Sequence, residues 1–220
     1  MKRKSLEVFD IVVYFSVTVF TALTIYPFLN VISVSLSDYG SYLKNPMMII
    51  PKNLNFETYK FVLSRPLILS SYRNTIIVTI CGTAISMFLT ITMAYPLANR
   101  NFKAKPFFTY MAVFTMLFNG GLVPNFYLVR SLGLLDTLWA LILPGSLSIF
   151  NVILMSNFIK SIPDSLEEAA RIDGASDIYI MVKVILPLCL PIIATLSLFY
   201  AVGRWNSYFN AIVYIRDRQK

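Results

Sequence analysis

The sequence predicts an all-α fold: a polytopic membrane protein with five transmembrane helices. Three observations carry this reading. The mean hydropathy is +0.67. Hydrophobic residues make up 57% of the 220-residue chain and charged residues only 14%. A soluble domain carries about 25% charged residues, so this chain has too little charge to cover a water-facing surface. Finally, its 19 basic and 11 acidic residues leave five uncharged windows, at 11–37, 74–99, 106–129, 137–159 and 184–203. A helix crosses about 30 Å of hydrocarbon with roughly 20 apolar residues, and each window reaches that length. None alternates apolar and polar residues as a barrel strand does.

The first window, Ile11–Ser37, follows Lys2, Arg3 and Lys4 in a short segment, 1–10. A cleaved signal peptide has an apolar stretch of only about 7–15 residues and a small-residue cleavage site. The 27-residue run here fits an uncleaved span, with residues 1–10 as a cytoplasmic N-terminus. Asp38–Arg73 then carries Pro46, Pro51 and Pro66 among Tyr and Phe residues, and reads as a structured external segment. The second span, Asn74–Asn99, returns the chain to Arg100–Pro106, where Arg100, Lys103 and Lys105 crowd a seven-residue loop. Dense basic charge in short loops marks the cytoplasmic side, in agreement with the N-terminus.

The third window, Pro106–Val129, is interrupted by Asn119-Gly120-Gly121 and Pro124. Either the span ends near Leu117 or the break faces a cavity; an external re-entrant turn is the favoured reading, because freed backbone groups at membrane depth need protein or water partners. The fourth span is Thr137–Ile159. The last, Val184–Gly203, leads into a basic tail, 204–220, which the alternation places outside. The transmembrane region as a whole is read as 11–203.

Composition excludes several chemistries. The chain has no His, which removes His-based triads and HExxH zinc sites. No P-loop motif is present, and no window holds an Asp, Glu, Lys or Arg of the kind that ion-coupled transporters place at depth. Cys81 and Cys189 lie in spans that enter from opposite sides, and read as small packing residues. The net charge of +8 is dispersed through loops, which fits a lipid surface better than nucleic acid. No catalytic, cofactor-binding or metal site is expected.

The segment 160–187 is different. Pro163 suits the start of a helix, and Asp164, Glu167 and Glu168 follow near its positive end. Glu167 and Arg171 stand four residues apart. Gly174 supplies the left-handed residue that ends a helix, and Ser176 can cap the next one, read as continuous with the last span. Ile162, Leu166, Ala169 and Ala170 form a narrow face. A helix of this kind could lie on the membrane surface or dock into a partner's groove.

The run E-A-A-R-I-D-G-A, with Leu186-Pro187 further on, resembles the EAA motif of permease subunits of binding-protein-dependent ABC importers. Glu168, Ala169, Ala170, Asp173, Gly174, Ala175, Leu186 and Pro187 match the pattern; Met181 stands where the family has an aromatic residue. F-N-G-G-L-V-P at Phe118–Pro124, L-G-L-L-D-T at Leu132–Thr137 and R-W-N-S-Y-F-N-A at Arg204–Ala211 resemble the carbohydrate-uptake branch, and within it the oligosaccharide subgroup of Gram-positive bacteria. The resemblance implies a multi-pass protein of the bacterial cell membrane, not itself an enzyme. Its partners would be ABC ATPase subunits holding ATP and Mg, a second permease chain, and an extracellular solute-binding lipoprotein delivering a sugar or oligosaccharide. The EAA residues would couple the pathway to the ATPase. Such permeases usually have six spans, so the tail 204–220 is expected to be truncated before a sixth span, or that helix lost. Asn74, Tyr95, Asn119 and Asn151 are candidate polar groups of the substrate path, each also able to make interhelical hydrogen bonds. Two rival classes are a secondary transporter, which would need coupling ions and a repeat that are not visible, and a purely structural membrane protein, which would need no EAA knob.

Overall fold

The computed structural model describes residues 8–100 and 102–216. Most of the expected cytoplasmic segment 1–10, and the tail beyond 216, lie outside the described residues. Helices dominate, and the described residues contain no named strand, only an isolated antiparallel bridge between Ser37 and Leu54. The chain divides into two units, 1–68 and 69–220.

In the first unit, α1 (Val8–Ser35) is apolar on every side and long enough to cross a membrane. The segment after it folds back on its end through side chains that recruit backbone carbonyls. Asn30 donates to the carbonyls of Pro46 and Met48, both at 2.9 Å, and Ser33 donates to that of Ile49. Met48 is 2% exposed. Two short helices, α2 (Tyr39–Lys44) and α3 (Glu57–Leu63), complete the segment. Asp38 caps α2 by accepting from the Ser41 N–H, a contact of a kind that contributes about 1 kcal/mol.

The second unit is built on α4 (Pro66–Ala98), which begins eight residues before the second uncharged window and is the other unbroken helix of spanning length. The remaining three windows are interrupted. The third is α5 (Lys105–Leu117) and α6 (Leu122–Ser131), bent by 113°. Gly121 takes φ +84 there, and its N–H bonds the Asn119 side-chain oxygen at 2.9 Å. The fourth window forms α7 (Trp139–Ile142) and α8 (Ile149–Lys160) rather than one helix. Pro144 cannot donate to the i−4 carbonyl, Gly145 turns the chain at φ +71, and Ser148 caps α8 by accepting from the Asn151 N–H.

The loop segment 160–187 holds α9 (Asp164–Ile172) and α10 (Asp177–Tyr179), followed by a wide π-helical stretch, Ile180–Ile185, and α11 (Leu186–Leu188). The helix after the loop is therefore not continuous with the last span. The chain bends by 82° before α12 (Leu190–Trp205). Pro187 and Pro191 remove two successive donors, from the Lys183 and Pro187 carbonyls, and that loosens the ladder on both sides of Cys189. A final turn, α13 (Phe209–Tyr214), closes the described chain. By length and composition, the described residues thus hold two spanning helices, or four if each bent pair counts as one span.

The core joins α4, α8, α12 and the loop. Met87, Ala94, Leu97, Ala98, Val152, Met155, Ile159, Ile180, Ile185, Cys189, Leu196 and Tyr200 are its buried members. A satellite cluster of Val129, Ala140 and Tyr214 ties α6, α7 and α13 together. The L-G-L-L-D-T run serves that cluster: the Asp136 N–H donates to the Tyr214 carbonyl at 3.0 Å, and its carboxylate accepts from the Arg216 N–H. Both cysteines are free thiols, Cys81 exposed and Cys189 buried.

Candidate functional site

Two places in the second unit concentrate polar chemistry. The first is the knob formed by α9 and α10. Pro163 precedes α9, and Asp164 and Glu167 occupy its first turn. Its end is closed by a paired hydrogen-bond motif: the Ala175 N–H donates to the Ala170 carbonyl and the Gly174 N–H to that of Arg171, both at 3.0 Å. This geometry needs a left-handed residue, and Gly174 has φ +81 with no atom within 4 Å of where a Cβ would stand. Ser176 then caps α10 by accepting from the Tyr179 N–H.

The knob is fixed on its inner side. Ile162, Ala170 and Ala175 pack against the core, beside Tyr95 and Phe102. Its outer side carries Glu168, Ala169 and Asp173, all exposed. Arg171 faces the carboxylate of Asp177 across the turn at 2.7 Å instead of pairing with Glu167, because the Gly174 turn brings the start of α10 closer to its guanidinium. Burial raises the Glu167 carboxyl above its usual range, opposed by Arg171 and reinforced by Asp164 and Asp177. The sequence pattern did not single out the apolar tip: Ile172 is 86% exposed and Ile178 73%. Pro187 lies outside the knob, in the turn of α11 below the bend.

The second place is a cleft of about 670 Å³ between α4, the α7–α8 break and α12. Asn74 and Asn151, two of the four polar candidates, line it together; Tyr200, Arg204 and Asn210 are on the same wall system. Tyr95 is elsewhere, beside the knob, and Asn119 is an exposed turn former. Tyr200 is a hub. Its hydroxyl lies 2.8 Å from that of Thr90 on α4 and accepts from the Ser148 N–H at 3.2 Å. Arg204, assigned by its position to the tail, turns inward. It donates to the Leu141 and Ile142 carbonyls at 3.2 Å, freed where Pro144 breaks the helix, and to the Ser86 hydroxyl at 2.8 Å. Gly82 makes room for it: a Cβ there would stand 2.5 Å from the Arg204 Nε. Sequence motifs reveal neither role, since both depend on the break at Pro144 and on packing 110 (Tyr200–Thr90) and 118 (Arg204–Ser86) residues apart in sequence.

Comparison with known proteins agrees with this architecture. Residues 86–215 match the family model described as binding-protein-dependent transport system inner membrane component. The polygalacturonan/rhamnogalacturonan transport system permease protein YtcP of Bacillus subtilis (strain 168) is 43% identical over 214 residues, 97% of this chain and 75% of the relative. Protein LplC of the same organism is 46% identical over 199 residues, 90% of this chain and 68% of the relative. A solved bacterial ABC transporter involved in import of the acidic polysaccharide alginate superimposes with a TM-score of 0.92 at 36% identity, covering all of this chain and 79% of that one. The chain thus belongs to the binding-protein-dependent transport system inner membrane components, as a multi-pass permease of an ABC importer.

Proposed function

We propose that this permease forms part of the membrane pathway for a sugar or oligosaccharide, and that the knob built by Glu168, Ala169, Ala170, Asp173, Gly174 and Ala175 engages a separate ATPase subunit holding ATP and Mg, with Glu168, Ala169 and Asp173 on the contact side and Ala170 and Ala175 holding the knob to the core. A second permease chain and an extracellular solute-binding lipoprotein complete the assembly. The observation that carries the coupling reading is the knob's two-sidedness. Its inner face is locked to the core through Ala170 and Ala175, while its tip leaves Ile172 and Ile178 exposed. Apolar groups held out by a rigid base mark a protein or membrane contact, and the exposed carboxylates of Glu168 and Asp173 beside them favour a protein. The force then has a path, from the knob through the π-helical stretch and the bend at Cys189 to α12, which walls the cleft. The sugar reading draws on the named relatives and on the cleft lining, where amide and hydroxyl groups stand beside Phe199 and Tyr200; sugar sites combine such groups with aromatic faces.

The test is co-expression with the neighbouring genes, followed by detergent purification and sugar uptake. An ATPase and a second permease should copurify. Gly174→Val should leave ATP hydrolysis running with little transport, because a β-branched residue at φ +81 costs about 1 kcal/mol or more and displaces the tip. Normal uptake in that variant refutes the coupling role. Absence of the ATPase from the purified complex refutes the assembly.

A further inference from the structure

We propose that the cleft is a subsite for an anionic sugar, a uronic acid unit of an oligosaccharide, and that Arg204 is the charge that selects it. The inference rests on the reading of the chain as a sugar permease. The lining residues are neutral amides, hydroxyls and apolar groups, and Arg204 is the sole charged member among them. Its hydrogen-bond partners are two backbone carbonyls and the Ser86 hydroxyl, all neutral. Its buried Nε has no partner, and the two ion pairs among the described residues lie elsewhere, at Arg100–Asp164 and Arg171–Asp177.

A cation held inside a membrane protein pairs with an opposite charge or with backbone carbonyls, and Arg204 takes the second course, which occupies Nη1 but leaves its charge uncompensated. Among the described residues the cleft lining supplies dipoles but no carboxylate, so a net positive potential remains at the cleft wall. The start of α8 adds to it: the capped N-terminus at Ser148 lines the same cleft, and a helix N-terminus carries positive partial charge. A sugar carboxylate would balance this potential while its hydroxyls met Asn74, Asn151, Tyr200 and Asn210. A neutral sugar would make the second set of contacts only. The recognition is by field and not by a bidentate fork, since Nη1 is already committed to the Leu141 and Ile142 carbonyls and Nη2 to the Ser86 hydroxyl.

The experiment is uptake by the full transporter, co-expressed with its partners, of a short galacturonate oligomer and of the same oligomer with its carboxylates reduced to alcohols. The solute receptor is identical in every arm, so a change in the ratio between variants belongs to this chain. Wild type should favour the acidic oligomer. Arg204→Lys should keep the preference. Arg204→Gln should lower it by about tenfold, the factor that about 1.4 kcal/mol represents, with the neutral oligomer still transported. Asn151→Asp, which adds a negative charge to the cleft without touching Arg204, should lower it in the same way and covers the case in which Arg204→Gln fails to assemble. An unchanged ratio in Asn151→Asp, or an equal loss of both sugars in both variants, overturns the subsite. Wild-type uptake of the neutral oligomer alone does so too. Transport of neither oligomer or any other sugar by the assembled wild-type complex overturns the sugar-permease reading itself.

Discussion

Glu167 shows how the knob registers its surroundings. It is partly buried in the first turn of α9, and loss of hydration raises its carboxyl above the usual carboxylate range. Arg171 works against the shift, but its guanidinium is shared with Asp177. The folded knob therefore binds a proton that the unfolded loop would release. For an acid with a raised folded value, stability is greatest at low pH and declines as pH climbs from the usual carboxylate range through the raised value. Glu167→Gln removes the titration and keeps the shape. Hydrogen exchange of the α9 amides should show protection factors that fall across this window in wild type and stay flat in the variant. Equal slopes would mean that Glu167 is hydrated and contributes nothing to docking. Gly174 is the opposite case at the same scale. Its left-handed conformation was legible as a glycine closing a helical run, whereas the burial of Glu167 depends on neighbours that no local pattern contains.

Among the elements, α12 links knob and cleft, and its bend is set by prolines. Pro191→Ala restores an N–H able to reach the Pro187 carbonyl, which favours a straighter helix. The knob would then move without turning the cleft wall. Solute transported per ATP hydrolysed should fall several-fold while the ATPase rate persists; an unchanged ratio would remove the bend from the coupling path. The bend also marks the limit of sequence reading. The apolar windows placed α1 and α4 and the apolar mass of the other segments, because hydropathy measures the cost of burial in lipid. Hydropathy carries no direction, so it did not separate α7 from α8 at Pro144 or resolve the 82° turn at Cys189. Candidate polar groups fared likewise: Asn74 and Asn151 meet in one cleft, while Tyr95 and Asn119 go elsewhere. Arg204 escaped notice because its charge ended a window, and the carbonyls it serves exist only once the fourth window breaks.

For the molecule as a whole, the solvent decides what holds the second unit together. In water, removing apolar surface from solvent drives packing; between helices in lipid that term nearly vanishes, leaving close contact and hydrogen bonds. The observed core fits this balance. Small residues, Ala94, Ala98, Ser86 and Gly82, let α4 approach its neighbours, and the Thr90–Tyr200 and Ser86–Arg204 contacts cross between helices. Leu196, fully buried in α12, tests the point. In a soluble core, Leu→Ala costs about 2.7–5.0 kcal/mol, combining transfer out of water with the residual cavity. With the transfer part absent, Leu196→Ala should cost roughly 1–3 kcal/mol, the packing share of that range. Reversible unfolding in mixed lipid and detergent micelles measures it. A loss near the top of the soluble range would show that water, not lipid, is the solvent against which the α4–α8–α12 core forms.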